Sequence, residues 1–417
     1  MNIGEKIRAI RKEKKMTLVQ VAGDQLTKGM LSLIENGKAQ PSMESLLHIA
    51  NQLQIDVSEL LQNKHFNELT ALYKEAEQIA ADLNTKYGIS EIDGANQKLV
   101  DIISPYMKEN ALTSNRFEEI RLRELYYMAR NALTGETPIE ELKEIEKMYE
   151  NIHAYSGMVK CGIYVCELLF KQQNYNEALQ YGNVLERYIE QYGGLIDEVQ
   201  RLNLYYSIAL MSAAISDVDR MEFATNQVLT ISKQSRVFYH IDDLYRFLFF
   251  IHCDNKDKEK CNYYLDKVKA FANILEDPSN DLIVQLLQFV YWNQIEHNYE
   301  KVINQPIETY QLPEDFMRHG YVFLYGEKAY AHIMRGEFSE AKSYLTDIFV
   351  SKFNSHPIDL GFIYRTFAMR ALCLFEEGDI ENAKRDILYA MNGVKGLVIN
   401  EEIRMIQSIY DRVMSNK

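Results

Sequence analysis

Residues 16–61 read MTLVQVAGDQLTKGMLSLIENGKAQPSMESLLHIANQLQIDVSELL, and this stretch decides the fold of the N-terminal part of the chain. Thr17 stands three positions before Gln20, which is the spacing of a capping box at a helix start. Thr27 opens the next apolar run, and Asn36-Gly37 ends it with residues that favour a left-handed helix end. Pro41-Ser42 opens a third run. The pattern predicts short helices joined by tight turns.

The flanking residues extend this pattern to five predicted helices. Upstream, residues 3–14 place isoleucines on one face and basic residues elsewhere, so they predict an amphipathic helix. Downstream, residues 57–61 predict the fifth helix. In the third helix, Met30, Leu31 and Ile34 are expected to face the core, while Leu26 fills the space between the second and third helices.

These residues resemble the helix-turn-helix domain of the lambda/434-repressor-like (Xre) family. One departure is that the turn between the second and third helices is one residue shorter than is common. The matching landmarks, in the family's order, are Ala22, Leu26, Ile34-Glu35-Asn36-Gly37, Pro41-Ser42 and the run from Leu46 to Leu53.

The resemblance implies how the domain contacts DNA. Its third helix enters the major groove, and the residues near the start of that helix meet base edges. Lys28 then donates to guanine, Leu33 meets a thymine methyl group, and Thr27 either caps the helix or contacts DNA. Alternatively, the basic residues are solvated side chains on a protein–protein module. The residues expected to face bases are Thr27, Lys28, Gly29, Ser32 and Leu33, and those expected to contact phosphates are Arg8, Arg11, Lys12 and Lys38.

Charge distinguishes the predicted helix-turn-helix domain (residues 1–64, the head) from the rest of the 417-residue chain. The net charge is −14, and residues 1–64 hold nine Lys or Arg against seven Asp or Glu, or +2, which leaves −16 for the remainder. A locally basic head on an acidic body suits a protein whose head alone touches phosphate. The polar N-terminus and the absence of an 18-residue apolar run predict a cytoplasmic protein without a membrane partner.

Motifs for chemistry are missing from the sequence. The five cysteines are scattered without a Cys-x-x-Cys pair, so they are expected to be small buried apolar residues. The sequence also lacks a nucleotide-binding loop, a nucleophile elbow and metal-ligand spacing. We therefore expect no cofactor, no metal and no catalytic residues, and we do not expect an enzyme.

Beyond residue 66 the sequence repeats. KQQNYNEA at 171–178, MRGEFSEA at 334–341 and EEGDIENA at 376–383 resemble the turn between the two helices of a tetratricopeptide repeat, in which alanine lies where the helices cross. Weaker copies end at 224, 261 and 302. Together with the clear copies they give anchors at 178, 224, 261, 302, 341 and 383, which are 46, 37, 41, 39 and 42 residues apart. The predicted fold is all-α: a lambda-repressor-like helix-turn-helix domain followed by a tetratricopeptide-repeat-like α-solenoid, with two more helix pairs in residues 66–150.

The layout of head and repeats resembles RRNPP-type peptide-sensing quorum-sensing regulators of Gram-positive bacteria. That resemblance implies a transcription regulator with a helix-turn-helix domain (1–64), a helical connector (65–83) and a repeat domain (84–417) that binds ligand and dimerises. It further implies a short signalling peptide in the concave groove, a homodimer, and a palindromic operator in double-stranded DNA. We expect no other cofactor or partner.

The first helices of the repeat pairs are expected to line that groove. Two arginines on them are candidates for binding a carboxylate in bidentate fashion, and the aromatic residues for burying apolar side chains. A structural role is an equal alternative for each residue. The candidates are Glu167, Arg246, Phe250, Tyr291, Gln294, Tyr330 and Arg365.

Two other functions fit the same sequence. In one, the repeat domain is an interaction module for a folded partner such as a response regulator. In the other, the protein regulates transcription but its repeats only dimerise. Recovery of a peptide or of a folded protein by the repeats separates the first of these from a peptide receptor.

Overall fold

The computed structural model describes residues 3–57, 60, 64–83, 89–108, 112, 116–312, 314–351 and 354–415. Every regular element within these ranges is helical, which confirms the all-α prediction. None of the helices described there has the length and apolar content needed to cross a bilayer. The chain divides into two compact units, Met1–Ile79 and Ala80–Lys417.

Within the first unit, the described residues 3–53 form four helices around a small core. They are α1 (Ile3–Glu13), α2 (Leu18–Ala22), α3 (Lys28–Glu35) and α4 (Met43–Leu53). Leu31 and Ile34 face the core as predicted, but Met30 is 44% exposed, so its predicted inward position is wrong. Met30 faces outward because Glu35, which the sequence analysis did not place inside, occupies the buried side of α3 together with Leu31 and Ile34. The fifth helix predicted at residues 57–61 falls largely outside the described residues.

Local hydrogen bonds explain where these helices begin. The predicted capping box is present: the backbone N–H of Gln20 donates to Thr17 Oγ1 (3.3 Å), and that of Thr17 donates to Gln20 Oε1 (2.8 Å). The short turn after α2 closes because Gly23 has a φ of +56°. A Cβ atom there would also lie 2.9 Å from Nε2 of His48. The shorter turn thus depends on a glycine at this position.

The other helices follow one another along the rest of the chain. A 3-10 turn at Gly193–Leu195 interrupts the series. The helices are α5 (Lys64–Leu83), α6 (Ile89–Lys108), α7 (Phe117–Thr134), α8 (Ile139–Asn151), α9 (Tyr155–Lys171), α10 (Tyr175–Tyr192), α11 (Glu198–Ala214), α12 (Val218–Ser235), α13 (Ile241–Asp254), α14 (Lys258–Leu275), α15 (Pro278–Gln294), α16 (Tyr299–Asn304), α17 (Glu314–Met334), α18 (Phe338–Ser343), α19 (Pro357–Glu376), α20 (Ile380–Gly393) and α21 (Glu401–Ser415).

In six helix pairs, from α9/α10 to α19/α20, the two helices are joined by the same type of turn. In each, a residue with positive φ ends the first helix, and these residues are Gln173, Ser216, Lys256, His297, Gly336 and Gly378. They are 43, 40, 41, 39 and 42 residues apart. Five positions after each lies a buried residue: Ala178, Met221, Cys261, Val302, Ala341 and Ala383. At the second pair, α11/α12, the anchor predicted at Ala224 is corrected to Met221, which lies five positions after Ser216.

Backbone geometry maintains this turn where the sequence has diverged. At the third pair, Lys256 N donates to Cys253 O (3.0 Å) and Asp257 N donates to His252 O (2.9 Å). These bonds satisfy the last carbonyls of the first helix. The Asp257 side chain then caps the second helix by accepting from Lys260 N (3.1 Å). A left-handed residue followed by a capping Asp or Asn therefore marks most of the turns, even without alanine.

The late repeats pack back onto the early ones. The Tyr175 hydroxyl donates to Ser355 O (3.0 Å), and His356 Nε2 donates to Leu210 O (3.3 Å). Glu401 N, at the start of α21, donates to Asp254 Oδ1 (2.7 Å). The start of α19 consequently lies beside α11 and α13, and it closes one side of the space that the first helices line.

Candidate nucleic-acid interface and ligand groove

The outward face of α3 carries the predicted base-reading residues. Lys28 and Gly29 are exposed, Leu33 is 43% exposed, and Ser32 is half-buried. These positions are spaced so that they share one side of a helix. The opposite side is buried in the core. Side chains of different chemistry (an ammonium, a hydroxyl and an isobutyl group) thus project together from a helix that is otherwise anchored.

Thr27 is the N-cap of this helix. Its Oγ1 accepts a hydrogen bond from Met30 N (3.1 Å), so the structure supports the capping alternative. At the other end, Asn36 Nδ2 donates to Ser32 O (2.7 Å). Gly29 lies in open space, with Thr27 Oγ1 at 3.9 Å as the nearest atom to a Cβ built there. The first turn of α3 is therefore fixed in conformation yet uncovered.

Arg11 has a structural role, which corrects its prediction as a phosphate contact. Its Nε donates to Glu35 Oε1 (2.6 Å) and its Nη2 to Oε2 (2.8 Å), while Nη1 donates to Met16 O (3.0 Å). Both side chains are largely buried. The hydrogen bond to Glu35 raises the pKa of Arg11. All three guanidinium nitrogens are engaged within the head, so they hold α1 against α3.

The other predicted phosphate contacts remain on the surface. Lys12 and Lys38 are exposed, as is Arg8. Arg8 Nη1 donates to Asn36 Oδ1 (3.3 Å), which connects α1 to the end of α3. Because this bond lies in solvent, the guanidinium keeps donors for an anion. Arg8, Lys12 and Lys38 stay predictions as phosphate contacts.

The second compact unit (Ala80–Lys417, the repeat unit) contains a cavity of about 270 Å³. The cavity lies on the side that is lined by the first helix of each pair. Residues of α9, α11 and α13 form three of its walls, and the start of α19 forms the fourth. Its apolar lining is Phe170, Leu210, Met211 and Phe247, and its polar lining includes Glu167, Lys171, Tyr206, Ser207, Asp243, Arg246, Ser355, His356 and Asp359.

Arg246 stands at the centre of the polar wall. Its Nε donates to Asp243 Oδ1 (2.7 Å) and its Nη1 to Asp359 Oδ1 (3.3 Å). Burial raises the pKa of Asp243, but Arg246 and the hydroxyl of Tyr206, which donates to Asp243, outweigh burial and lower that pKa. Burial lowers the pKa of His356 to about 4, so its imidazole is neutral at pH 7. The wall is thus a connected set of fixed charges.

The predicted groove residues separate into four groups, the last of which is a buried ion network that contains Arg365 and Tyr330. Glu167 and Arg246 line the 270 Å³ cavity. Phe250 and Gln294 are buried beside a second cavity of about 150 Å³. Tyr291 is buried in the packing of α14 and α15.

Arg365 and Tyr330 belong to a buried ion network, which corrects the prediction that Arg365 binds a ligand carboxylate. Arg365 pairs with Glu327 and with Glu402 (Nη1 to Oε2, 2.5 Å), and it is 1% exposed. The Tyr330 ring centre lies 5.0 Å from its guanidinium carbon. Both carboxylates already occupy the guanidinium, and solvent does not reach it. Gln294 joins this network by donating to Glu402 (2.7 Å).

Sequence reasoning missed most of the cavity wall. Asp243 had a signal, because it precedes Arg246 by one helical turn. Tyr206, His356 and Asp359 had none, since they reach the cavity through contacts with residues 37 to 146 positions away.

Comparison with known proteins places the head in a known family. Residues 4–65 match the family described as "Helix-turn-helix domain". The immunity repressor protein of Bacillus phage phi105 is 34% identical over 101 residues, which are 22% of this chain and 70% of the repressor.

Two solved structures align with more of the chain. Bacillus thuringiensis PlcR in complex with the peptide PapR7 and DNA is 16% identical, with a TM-score of 0.35 over 73% of this chain and 99% of its own. The competence regulator ComR from Streptococcus vestibularis, in complex with its cognate signalling peptide XIP, is 18% identical, with a TM-score of 0.41 over 68% and 95%.

Proposed function

This chain belongs to the Xre-type helix-turn-helix regulators, and from that premise we propose that its head reads a DNA operator under the control of a peptide bound by its repeats. The observation that carries the DNA half is the outward face of α3. Lys28, Gly29, Ser32 and Leu33 lie there beside one another, on a helix that Thr27 caps and that the Arg11–Glu35 pair anchors. Donor and apolar groups in that arrangement match base edges of the major groove.

A salt-resolved DNA-binding measurement tests this half. With the full chain and fluorescent promoter fragments, Lys28→Ala combined with Ser32→Ala should abolish the preference for the operator over unrelated DNA. Lys12→Ala should weaken binding to both fragments alike and reduce the salt slope by about one. Lys258→Ala, on the exposed first turn of α14, is the matched control and should change neither. Unchanged preference in the double variant would contradict the assignment of α3.

The cavity carries the ligand half of the proposal. Apolar side chains and a fixed set of charges face one space of about 270 Å³, which has room for one or two amino-acid side chains. The first helices of three successive pairs contribute to it. An extended peptide contacts such a surface through alternating apolar and polar groups, so a short peptide is the ligand class that fits best.

The remaining parts of the proposal concern assembly. We propose that residues 1–64 bind DNA, that residues 65–83 connect, and that residues 84–417 bind the peptide and dimerise in the cytoplasm. Since one head of charge +2 attracts phosphate only modestly, two heads on a palindromic operator would supply the specificity. Sedimentation of the full chain on operator DNA should give two chains per palindrome. One chain per palindrome would overturn the dimer.

Peptide control is tested by adding short synthetic peptides to the chain with its operator. A peptide that binds the native repeats raises their melting temperature, and it should change operator affinity at the same concentrations. A peptide that stabilises the repeats without changing operator affinity would contradict control of DNA binding.

A further inference from the structure

The cavity wall shows which charge its ligand carries. Resting on the proposed peptide-receptor function, we propose that the cavity selects a peptide with a cationic group, an ammonium or guanidinium, which pairs with Glu167. This differs from the expectation that Arg246 binds a carboxylate of the ligand. The proposal depends on three observations: the charges of the wall, the partners of Arg246, and the surroundings of Glu167.

The wall has an excess of negative charge. Its carboxylates are Glu167, Asp243 and Asp359, and its cations are Lys171 and Arg246. His356 does not add a positive charge at pH 7, because burial lowers its pKa to about 4. When all five side chains are charged, the three carboxylates and two cations give the cavity a net charge of −1, which favours a cationic ligand over an anionic one.

Arg246 is occupied by the protein itself. Asp243 and Asp359 accept from it, and its guanidinium carbon lies 4.2 Å from the centre of the Phe247 ring. A ligand carboxylate at this position would meet two like charges before it reached the guanidinium. Displacing either aspartate would leave a carboxylate in the wall without its cation, which is costly.

Glu167 has the opposite character. It is exposed toward the cavity, and none of the residues that the structure describes donates a hydrogen bond to it or forms an ion pair with it within 4.0 Å. Desolvation by the surrounding protein raises the pKa of the Glu167 carboxyl, and the charge of Lys171, one turn along α9, lowers it. A bound cation would stabilise the ionised carboxylate that the cavity walls disfavour.

The neighbours of Glu167 fit the rest of such a ligand. Phe170 on the same helix and Leu210 and Met211 on α11 offer apolar surface. Lysine and arginine side chains carry an aliphatic stem behind the charge, and a peptide N-terminus carries its first side chain there. Both sources share the chemistry of a cation beside an apolar group.

The test uses the full chain and C-terminally amidated pools of short random peptides built from uncharged residues. One pool is N-acetylated and neutral, a second is N-acetylated with one lysine, a third has a free N-terminus, and a fourth is N-acetylated with one glutamate. Peptides retained on ultrafiltration are counted by mass spectrometry. The lysine or free-amine pool should be retained about tenfold better than the neutral pool, since a charged hydrogen bond contributes at least that factor. Which of the two is retained identifies the source of the cation.

Two variants assign the effect to one side chain. Glu167→Gln should reduce retention of the cationic pool to that of the neutral pool, while Lys171→Met should preserve or increase it. Unchanged retention in Glu167→Gln, a preference for the glutamate pool, or equal retention of all pools would overturn the inference and leave the peptide receptor intact. Retention of no peptide from any pool would overturn the receptor proposal and this inference with it.

Discussion

The head and the repeat unit each bury an arginine against carboxylates, but with different partners and consequences. In the head, Arg11 meets one carboxylate, Glu35, and the pair joins α1 to α3. In the repeat unit, Arg365 on α19 meets Glu327 on α17 and Glu402 on α21. The head has a neutral pair between two helices. The repeat unit has a triad of one arginine and two carboxylates that joins α17, α19 and α21.

This difference indicates how each unit maintains its geometry. The head has few core residues, and one ion pair aligns α3, the helix proposed to contact DNA. The triad spans three helices of the late repeats, α17, α19 and α21. Burial raises the pKa of Glu402 although Arg365 opposes it, so the second carboxylate is the weaker member of the triad. Removing Arg365, which both carboxylates share, should therefore lower the free energy of unfolding of the repeat unit more than removing either carboxylate.

The largest expected effect comes from Arg365→Met. It leaves Glu327 and Glu402 buried without a cation, so the repeat unit should lose about 3 to 5 kcal/mol of unfolding free energy. Trp292 on α15 is the sole tryptophan of the chain, and its fluorescence during urea unfolding reports this unit. Arg11→Met should leave the Trp292 transition unchanged and instead abolish operator binding.

The matched control is Arg404→Met. Arg404 pairs with Asp254 and Glu401 but is about half exposed, so its loss should cost less than about 1 kcal/mol. If Arg404→Met and Arg365→Met shift the Trp292 transition equally, the buried triad has no special role in the repeat unit.

The next largest expected effect is a loss of stability in the head, caused by a steric clash at Gly4. A Cβ atom at Gly4 would lie 2.0 Å from the backbone oxygen of Ile34, which cannot move aside without shifting α3. Gly4→Ala should therefore cost the head about 1 to 3 kcal/mol. Gly29→Ala is the control, because it adds a methyl group in open space and improves helix propensity.

Hydrogen exchange of the head amides separates the two glycine variants from each other. Gly4→Ala should accelerate exchange across α1 and α3, whereas Gly29→Ala should not. Equal protection in both variants would mean that α1 can shift to accommodate the methyl group.

How much of the fold the sequence predicts depends on the distance between interacting residues. The Thr17 capping box and the Asn36-Gly37 helix end were predicted correctly because their hydrogen bonds form within a few positions. The buried anchors were predicted at five of six turns. At the remaining turn, between α11 and α12, Ala224 was chosen for its similarity to the other alanines, whereas the left-handed φ of Ser216 sets the anchor at Met221.

The candidate sites show the limit of that reasoning. The resemblance to the helix-turn-helix family predicted that Lys28 and Leu33 face outward on α3, and the repeat pattern predicted that Glu167 and Arg246 lie on first helices of the repeats. Periodicity does not reveal partners that are distant in sequence. Glu35 lies 24 positions from Arg11, and Asp359 lies 113 positions from Arg246. Both arginines were therefore assigned to ligands when their partners are carboxylates of the same unit.

The stability of the repeat unit is expected to depend on pH through a buried glutamate. Burial raises the pKa of Glu146 on α8 to about 7, although the Tyr181 hydroxyl donates to its Oε2 (2.6 Å) and lowers it. A raised pKa means that the folded state favours the protonated form. Its contribution is fully present below the ordinary pKa of 4.5 and is lost as pH rises through about 7.

The Trp292 transition should therefore move to lower urea as pH rises from about 5 to about 7, with a slope of at most about 1.4 kcal/mol per pH unit from this group, and this slope should vanish above about pH 8. Glu146→Gln should remove that part of the slope. Glu140→Gln, an exposed carboxylate on the same helix, should retain it. A slope that persists unchanged in Glu146→Gln would assign the titration to another residue.

The smallest expected effect compares one helix cap in each unit. Thr27→Ala removes the bond from Met30 N, and Asp257→Ala removes the bond from Lys260 N, so each should cost its own unit about 1 kcal/mol. Only Thr27→Ala should also weaken operator binding, because Thr27 caps the helix that is proposed to contact DNA. Thr27→Ser keeps the hydroxyl and loses the methyl group. If it restores both stability and affinity, Thr27 acts through the cap alone; if it restores stability but not affinity, the methyl group contacts DNA, and Thr27 is both a capping and a DNA-contacting residue.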